Sequence, residues 1–402
     1  AAGRTRNTAC AISRPSSAAS WSITGATRAS TPRDDSNLAG PAIKSCVGFF
    51  DLIDAEVLSA PKGPPIAAPI GLAQAGSSSE GLPMTDSNER PIFIVGAARS
   101  GTTLLRFMLL GNPRIYIPPQ SDFIPRLFGR QPTATLSRQQ AIRAAEFIFN
   151  AHPFIKDWRD ERLVAEAFVD SLPDRRPGTL LNTLYSQYAH QYGAERWGDK
   201  SPTYTGYIHL MSEIFPDAQF IHIIRDGRDV ALSTVETFQK DFHIDLYFAA
   251  SSWDRRVRAA MTTGRQLGVN RYREIRYEQL VNDPERVLEE TCAFLGETFH
   301  PAMLEPQKQA HDRLSPKGVH AAVRQPLTTS RVGRWQQEMS DADRRLFQLV
   351  AGDTLDELGY DSCAVGNMSL GESARYAGLR LKYVVLEGGR QILQPTGLFN
   401  PH

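Results

Sequence analysis

The stretch Pro91-Ile-Phe-Ile-Val95, continued by Gly96-Ala-Ala-Arg-Ser-Gly101-Thr-Thr103, decides the fold of this chain. Its first part is an apolar run bounded by proline and glycine, which predicts a buried strand. The residues from Leu104 to Leu110 then follow a helical pattern. The order of strand, glycine-containing loop and helix predicts a phosphate-binding loop, because the loop N–H groups and the positive end of the helix dipole converge on an anion.

This loop differs from the phosphate loop of ATP and GTP hydrolases at a decisive position. The spacing of Gly96 and Gly101 matches G-x-x-x-x-G-K-[ST], but Thr102 and Thr103 stand where that pattern has Lys and then Ser or Thr. The hydrolases use the lysine on the β- and γ-phosphates and the next hydroxyl on Mg²⁺. The missing lysine argues against γ-phosphoryl transfer. The cation of this loop is Arg99 instead.

A second junction of strand and helix follows later in the chain. The run Phe220-Ile-His-Ile-Ile224 predicts another buried strand, in which His222 is expected to be a core histidine rather than a base. Arg225 and Arg228 follow at the mouth of the next predicted helix, and Ser233 falls about two helical turns into it. Guanidinium and hydroxyl groups at this place are suited to hold a second phosphate.

Together the two junctions resemble the nucleotide signatures of a known family. The segments Ala98-Arg-Ser-Gly-Thr-Thr-Leu104 and Arg225-Asp-Gly-Arg-Asp-Val-Ala-Leu-Ser233 are similar to those of sulfotransferases that use 3′-phosphoadenosine 5′-phosphosulfate (PAPS). The arginine in the first segment is closer to the carbohydrate and tyrosylprotein branches than to the cytosolic branch, which usually has lysine there. The resemblance implies that the 5′-phosphosulfate is bound by Arg99, Ser100, Gly101, Thr102 and Thr103, and the 3′-phosphate by Arg225 and Ser233.

Three further segments extend the resemblance over residues 90 to 360. Trp197-Gly-Asp-Lys-Ser-Pro202 looks like the central segment of the family, whose lysine, here Lys200, is implied to lie beside the sulfuryl group. Arg276-Tyr-Glu-Gln-Leu280 is similar to the strand and helix that close on the adenine, which implicates Tyr277. Ser330-Arg-Val-Gly-Arg-Trp335 resembles the late loop over the nucleotide, which implicates Arg331 and Gly333.

The acceptor hydroxyl must lose a proton while its oxygen attacks sulfur in line, so a general base is required. Lys200, Arg99 and the loop N–H groups are expected to stabilise the charge that grows on the sulfuryl and bridging oxygens. Related carbohydrate and tyrosylprotein members typically carry a catalytic Glu where this chain has Gln120, and an amide cannot take the proton. We therefore expect Asp122 to be the base, with Asp199 in reserve, although Asp199 is more easily read as the partner of Lys200.

The alternation of short apolar runs with amphipathic segments predicts an α/β fold, with a central, mainly parallel sheet flanked by helices. Residues 1–89 are expected to be disordered or linker-like, 90–360 to form the sulfotransferase domain and 361–402 a C-terminal extension. The predicted strands are Ile92–Val95, Phe220–Ile224 and Glu274–Tyr277. The predicted helices span 104–111, 138–150, 161–171, 179–193, 205–215, 228–240, 247–267, 284–296 and 341–357.

Composition limits the partners and the compartment. Lys and Arg number 45 against 44 Asp and Glu, so no net field recruits nucleic acid or an anionic membrane. The four cysteines are scattered, which indicates neither a zinc site nor a disulfide scaffold, and a reducing compartment, the cytoplasm, is the expectation. No metal is expected. No transmembrane segment is expected either, because no apolar run approaches about 18 residues. Residues 1–33 have no Asp or Glu, so organelle targeting is the alternative to a disordered tail.

These observations favour a PAPS-dependent sulfotransferase that acts on a hydroxyl acceptor, which is a carbohydrate, a lipid, a phenol or a tyrosyl group. One alternative is a phosphate-loop kinase or NTPase that lacks the Walker lysine. Another is a non-catalytic nucleotide-binding protein, which Gln120 makes credible. The preferred nucleotide distinguishes a sulfotransferase from a kinase or NTPase. Turnover distinguishes a sulfotransferase from a non-catalytic nucleotide-binding protein. The acceptor depends on the 120–190 region and the late loops, and the oligomeric state is not encoded in any motif.

Overall fold

The computed structural model describes residues 90–151, 164–242, 244–311, 313–314, 320–361, 366 and 368–393. The N-terminal region predicted for residues 1–89 lies outside this part of the chain. The strands are β1 Ile92–Val95, β2 Ile115–Tyr116, β3 Arg196–Lys200, β4 Gln219–Ile224 and β5 Tyr272–Arg276. The α-helices are α1 Thr102–Leu109, α2 Ile124–Phe128, α3 Arg138–Ala151, α4 Ala165–Asp170, α5 Pro177–Gln191, α6 Ile208–Ile214, α7 Gly227–Phe242, α8 Leu246–Gln266, α9 Tyr277–Asn282, α10 Pro284–Leu295, α11 Pro306–Ala310, α12 Trp335–Glu338, α13 Asp341–Glu357 and α14 Leu370–Leu393.

The strands form one five-stranded sheet in the order β2-β3-β1-β4-β5, and every pairing is parallel. This confirms the predicted α/β fold with helices around a parallel sheet. Strands β1 and β4 are buried along their whole length, as expected for continuous apolar runs in a sheet covered on both faces. Because parallel strands end at the same edge of the sheet, the loops after β1, β3 and β4 meet at one place.

Strand β3 was not predicted, because Arg196-Trp-Gly-Asp-Lys200 shows no apolar run. All its residues are nevertheless buried, and its charges are met by fixed partners. The Arg196 guanidinium donates to the Leu295 carbonyl at 2.7 Å and to the Gln219 side chain at 2.6 Å. Buried polar groups are tolerated when they are hydrogen-bonded in this way. The partners of these polar side chains lie on other elements, so the sequence around β3 does not show the pattern of a buried strand.

Other element boundaries differ from the predictions for local reasons. The predicted strand Glu274–Tyr277 is Tyr272–Arg276 in the structure, and Tyr277 is instead the first residue of α9. The predicted helix 205–215 is split into a 3-10 turn at Pro202–Gly206 and α6. The beginning of the predicted helix 161–171 lies outside the described residues. Strand β2 has two residues, too few to give a pattern.

Helix α14 lies in the segment predicted as a C-terminal extension. Helix α14 packs against α8, where the rings of Tyr376 and Tyr247 lie 5.6 Å apart. Its Lys382 ammonium lies 2.8 Å from the carboxylate of Asp245, the residue just before α8. The domain boundary near residue 360 stays a prediction. Among the described residues, none of the helices combines the length and the apolar character needed to cross a bilayer.

Candidate functional site

The loop after β1 has the backbone conformation that a phosphate loop requires. Arg99 has a φ of 69° and Gly101 a φ of 99°, both in the left-handed region. A Cβ atom on Gly101 would lie 2.6 Å from the Tyr277 ring, so a glycine is needed for Tyr277 to pack on the loop. Helix α1 begins directly after Gly101 without a side-chain cap. Its first N–H groups therefore face the loop with the positive end of the dipole, which suits an anion.

The two predicted signatures touch each other directly. The Arg99 Nε donates to the Ser233 hydroxyl at 3.1 Å, and the Arg225 Nη1 donates to the Arg99 carbonyl at 3.2 Å. These contacts join the loop after β1 to the start and the second turn of α7. The structure thus brings together Arg99, Arg225 and Ser233, which the sequence places far apart.

Arg225 also links the second signature to the late loop. Its Nη2 donates to the Arg331 carbonyl, and its Cζ lies 4.7 Å from the centre of the Tyr277 ring. Stacking on an aromatic face fixes the plane of the guanidinium while leaving its charge available. Arg225 is 3% exposed, and its orientation is therefore set by packing.

Asp229 holds the late loop in place, a role that the sequence analysis did not assign. Its carboxylate accepts the backbone N–H groups of Gly333 at 2.8 Å and Trp335 at 2.9 Å, and it lies 3.5 Å from the Arg225 guanidinium. The spacing of Arg225 and Asp229, four residues apart across the start of α7, is a local signal that could have indicated the ion pair between them, whereas nothing local indicates the contacts with the late loop. Gly333 therefore takes part by shaping the loop, with its N–H engaged by Asp229.

Arg228 follows Arg225 at the start of α7, but its guanidinium is bound by groups of the protein. Its guanidinium pairs with both oxygens of Asp226, at 2.9 and 2.7 Å, and lies 3.5 Å from the centre of a Trp335 ring. It also donates to the Asp361 carbonyl at 2.7 Å. The N–H donors of the Arg228 guanidinium are therefore engaged by Asp226 and the Asp361 carbonyl rather than by a ligand.

The charge at the loop is strongly positive. Burial, followed by the charges of the nearby cations Arg331 and Arg225, lowers the pKa of Arg99 from 12.5 to about 10, against an opposing effect of Glu236. Three guanidinium groups thus repel one another around the phosphate loop. A multiply charged anion bound among them would relieve this repulsion.

A cavity opens at this edge of the sheet and collects most of the predicted donor-binding residues. Its lining includes Arg99, Gly101, Thr102, Thr103, Arg225, Ser233, Tyr277 and Arg331. Gln120, His320 and the 322–328 segment complete one side of it. Ser100, Gly333, Asp122 and Lys200 are not among the lining residues. Ser100 is fully buried, and its hydroxyl has no hydrogen-bond partner among the described residues.

Lys200 lies at the carboxyl end of β3, where Gln120 separates it from the cavity. Its ammonium donates to the Gln120 side-chain oxygen at 2.6 Å, and Lys200 is 3% exposed. Gln120 lines the cavity, so the pair places a buried cation directly behind the wall. Asp122 is half-buried in the loop before α2.

Asp199 points to the other face of β3, as expected for neighbouring residues of a strand. Its carboxylate accepts hydrogen bonds from the Ser121 hydroxyl and, at 2.8 Å, from the Tyr185 hydroxyl. Ser121 also contacts the Tyr204 hydroxyl at 2.6 Å. Burial raises the pKa of Asp199 from 3.8 to about 6, although the hydrogen bonds from Ser121 and Tyr185 act in the opposite direction.

Replacement of Asp199 by asparagine is expected to change how stability depends on pH. Because the folded pKa of about 6 exceeds the ordinary value of 3.8, the stabilising contribution of this carboxyl is present below pH 3.8 and is lost as the pH rises to about 6. Asn keeps an acceptor oxygen and cannot ionise. Urea unfolding should show the variant gaining up to about 3 kcal/mol relative to the parent between about pH 4 and pH 7. Asp217→Asn, at an exposed position, is the control, and a pH-independent difference would contradict the assignment.

His222 lies in the core, in agreement with the interpretation drawn from the sequence. It is fully buried in β4, and its Nδ1 is 2.6 Å from the Tyr272 hydroxyl. Burial, followed by the charges of Arg276 and Arg265, lowers the pKa of His222 to about 3. It is neutral at physiological pH and lies away from the cavity.

Comparison with known proteins points to one family. The profile of the sulfotransferase family matches residues 91–301. The chain is 25% identical over 311 residues to protein-tyrosine sulfotransferase 2 of Gallus gallus, covering 71% of this chain and 76% of that protein. It is 23% identical over 308 residues to protein-tyrosine sulfotransferase of Drosophila melanogaster, covering 70% of this chain and 55% of that protein. The chain thus spans little more than half the length of the Drosophila relative.

Among solved structures, the chain is similar to the sulfotransferase domain of the Synechococcus PCC 7002 olefin synthase. The two are 26% identical, with a TM-score of 0.47, and the match covers 68% of this chain and 96% of that domain. In the part of the chain that the structure describes, no group of three or more His, Cys, Asp and Glu residues is placed to hold a metal ion.

Proposed function

Because the chain belongs to the sulfotransferase family, we propose that it transfers a sulfuryl group from PAPS to a hydroxyl acceptor. The observation that carries this proposal is the convergence of Arg99, Arg225 and Arg331 on a phosphate loop without a Walker lysine. PAPS carries anionic groups at both its 3′ and 5′ ends, so it needs cations from more than one element. ATP would need a loop lysine and a hydroxyl for Mg²⁺, which this loop does not supply.

The contacts support binding of the two ends of the donor by different parts of the site. The N–H groups at the start of α1, with Thr102 and Thr103, hold the 5′-phosphosulfate, while Arg225 and Ser233 hold the 3′-phosphate. Tyr277 packs between Gly101 and Arg225 and offers an aromatic face to the nucleotide. Arg331 adds charge from the late loop.

The reaction is an in-line displacement at sulfur. The acceptor oxygen forms a bond to sulfur, and the bond from sulfur to the bridging oxygen of the 5′-phosphate breaks, which releases 3′,5′-adenosine bisphosphate. Lys200 and Arg99 stabilise the negative charge that develops on the sulfuryl and bridging oxygens. The acceptor proton passes to a base, for which Asp122 stays the prediction made from the sequence.

The test is transfer of labelled sulfate from PAPS to a panel of sugars, phenols, lipids and tyrosine peptides by the full chain. Label on at least one class is the expected result. Tyrosine peptides are included because two of the similar proteins are named as protein-tyrosine sulfotransferases. Binding of the bisphosphate without transfer to any class would favour a non-catalytic nucleotide-binding protein. Tight binding of ATP with Mg²⁺, without binding of the bisphosphate, would favour a kinase.

Turnover is expected to survive EDTA. The fixed cations Arg99, Arg225 and Lys200 can neutralise the donor's charge, and Thr102 stands where a Walker loop has its lysine. The measurement is the initial rate of label transfer with excess EDTA and with added Mg²⁺. Complete loss of activity that Mg²⁺ restores would contradict this mechanism.

A further inference from the structure

His320 lines the cavity, a position that no sequence signal indicated. It lies immediately before the 3-10 turn Ala321–Arg324 and lines the cavity together with Arg99 and Gln120. The cations Lys200, Arg99 and Arg106 are close enough to act on its imidazole. Two of these, Lys200 and Arg99, are the groups proposed to stabilise the sulfuryl charge. His320 therefore lines the same cavity as Arg99 and lies near the cations proposed to act on the sulfuryl group.

The cavity offers few other groups that can take a proton. Gln120 is an amide, and no carboxylate lines the cavity within the described ranges of the chain. Asp199 is fully buried on the opposite face of β3, where Ser121 and Tyr185 hold it. Asp122 is half-buried and lies outside the lining. A general base must come within hydrogen-bond reach of the proton that it removes.

We propose that His320, in place of the Asp122 predicted from the sequence, is the general base that takes the proton from the acceptor hydroxyl. This inference rests on the proposed function. The hydroxyl proton moves to an imidazole nitrogen of His320 while the oxygen bonds to sulfur and the bisphosphate leaves with the electron pair of the broken bond. The proton then passes to solvent, and the neutral imidazole is restored.

The surrounding charges make this base dependent on the donor. Burial, followed by the charges of Lys200 of β3, Arg99 of the loop after β1 and Arg106 of α1, lowers the pKa of His320 from 6.5 to about 3. The phosphate and sulfuryl groups of PAPS are anions and offset these cations. Donor binding is therefore expected to raise the pKa of His320 above its value in the free protein, which makes the neutral imidazole more basic.

The first experiment follows the protonation of His320 in the full chain by NMR with ¹⁵N-labelled histidine. His320→Gln identifies the resonance, and His190→Gln, at an exposed site, is the matched control. Without nucleotide the ring is expected to stay neutral down to about pH 4. With saturating 3′,5′-adenosine bisphosphate its titration should move upward by at least about one pH unit. Bound bisphosphate that leaves the titration of His320 unchanged overturns the inference alone, whereas failure of the bisphosphate to bind contradicts the proposed function.

The second experiment separates a base from a structural residue. With an acceptor identified by the labelled-sulfate panel, His320→Gln should lower kcat by about 10²–10⁴-fold and leave bisphosphate affinity nearly unchanged. The parent's rate should fall at low pH as the imidazole becomes protonated, and the variant should lose this dependence. Added imidazole should restore part of the activity of His320→Ala. Parent-like turnover of His320→Gln, or loss of turnover in Asp122→Asn without imidazole rescue of His320→Ala, overturns the inference.

Discussion

Replacement of Lys200 by methionine is expected to lower kcat by about 10²–10³-fold, the usual scale for removing one preorganised donor to a developing charge. Lys200 is buried and hydrogen-bonded to Gln120. Because water is largely excluded there, the attraction between its ammonium and the developing negative charge is weakly screened. Methionine has a similar length and keeps the packing of the end of β3, while it removes the charge.

The rate is to be measured with saturating PAPS, together with calorimetric binding of 3′,5′-adenosine bisphosphate. The bisphosphate lacks the sulfuryl group, so its affinity should change little. Lys308→Met, on the exposed face of α11, is the control for the loss of one lysine. Thermal unfolding checks that the fold is retained. A kcat within a few-fold of the parent, or a loss of bisphosphate affinity as large as the loss of rate, would show that Lys200 does not act on the sulfuryl group.

Replacement of Arg225 by alanine is expected to weaken binding of the bisphosphate by about 2–5 kcal/mol, the scale for truncating one partner of a buried charge pair. Two effects combine in this value. The 3′-phosphate loses its guanidinium, and the late loop loses the hydrogen bond from Arg225 to the Arg331 carbonyl. Arg225→Lys should recover only part of the affinity, because an ammonium keeps the charge but not the planar fork.

Arg228→Ala is the matched contrast, since Arg228 lies three residues later in the same turn and carries the same charge. Its fork is occupied by Asp226 and the Asp361 carbonyl, so its loss should lower the free energy of unfolding more than it lowers nucleotide affinity. Isothermal calorimetry at fixed salt measures the affinity, and ATP should compete poorly in both variants. An Arg225→Ala protein that binds the bisphosphate as tightly as Arg228→Ala would refute the assignment of the 3′-phosphate site.

The amino-acid sequence by itself determined the two junctions from which the site is built. At Ile92–Val95 and Phe220–Ile224, a strand, a turn and a helix follow one another within about 20 residues, so the periodicity and the glycine spacing are visible locally. The absence of a lysine before Thr103 is likewise evident from the sequence alone. For the same reason the parallel α/β fold was predicted correctly, since alternating strands and helices leave few other arrangements.

Only the tertiary structure decided how these parts meet. Arg99 reaches Ser233 across 134 residues, Asp229 holds Gly333 across 104, and His320 enters the cavity from a loop with no periodic signal. Strand β3 stayed hidden because the partners that satisfy Arg196 come from β4 and α10. Hydrophobic periodicity records which face of an element is buried, whereas the pairing of polar groups depends on which elements become neighbours when the sheet forms. The arrangement of these neighbouring elements places the charges around the proposed donor site and determines the pKa shifts of His320 and Asp199.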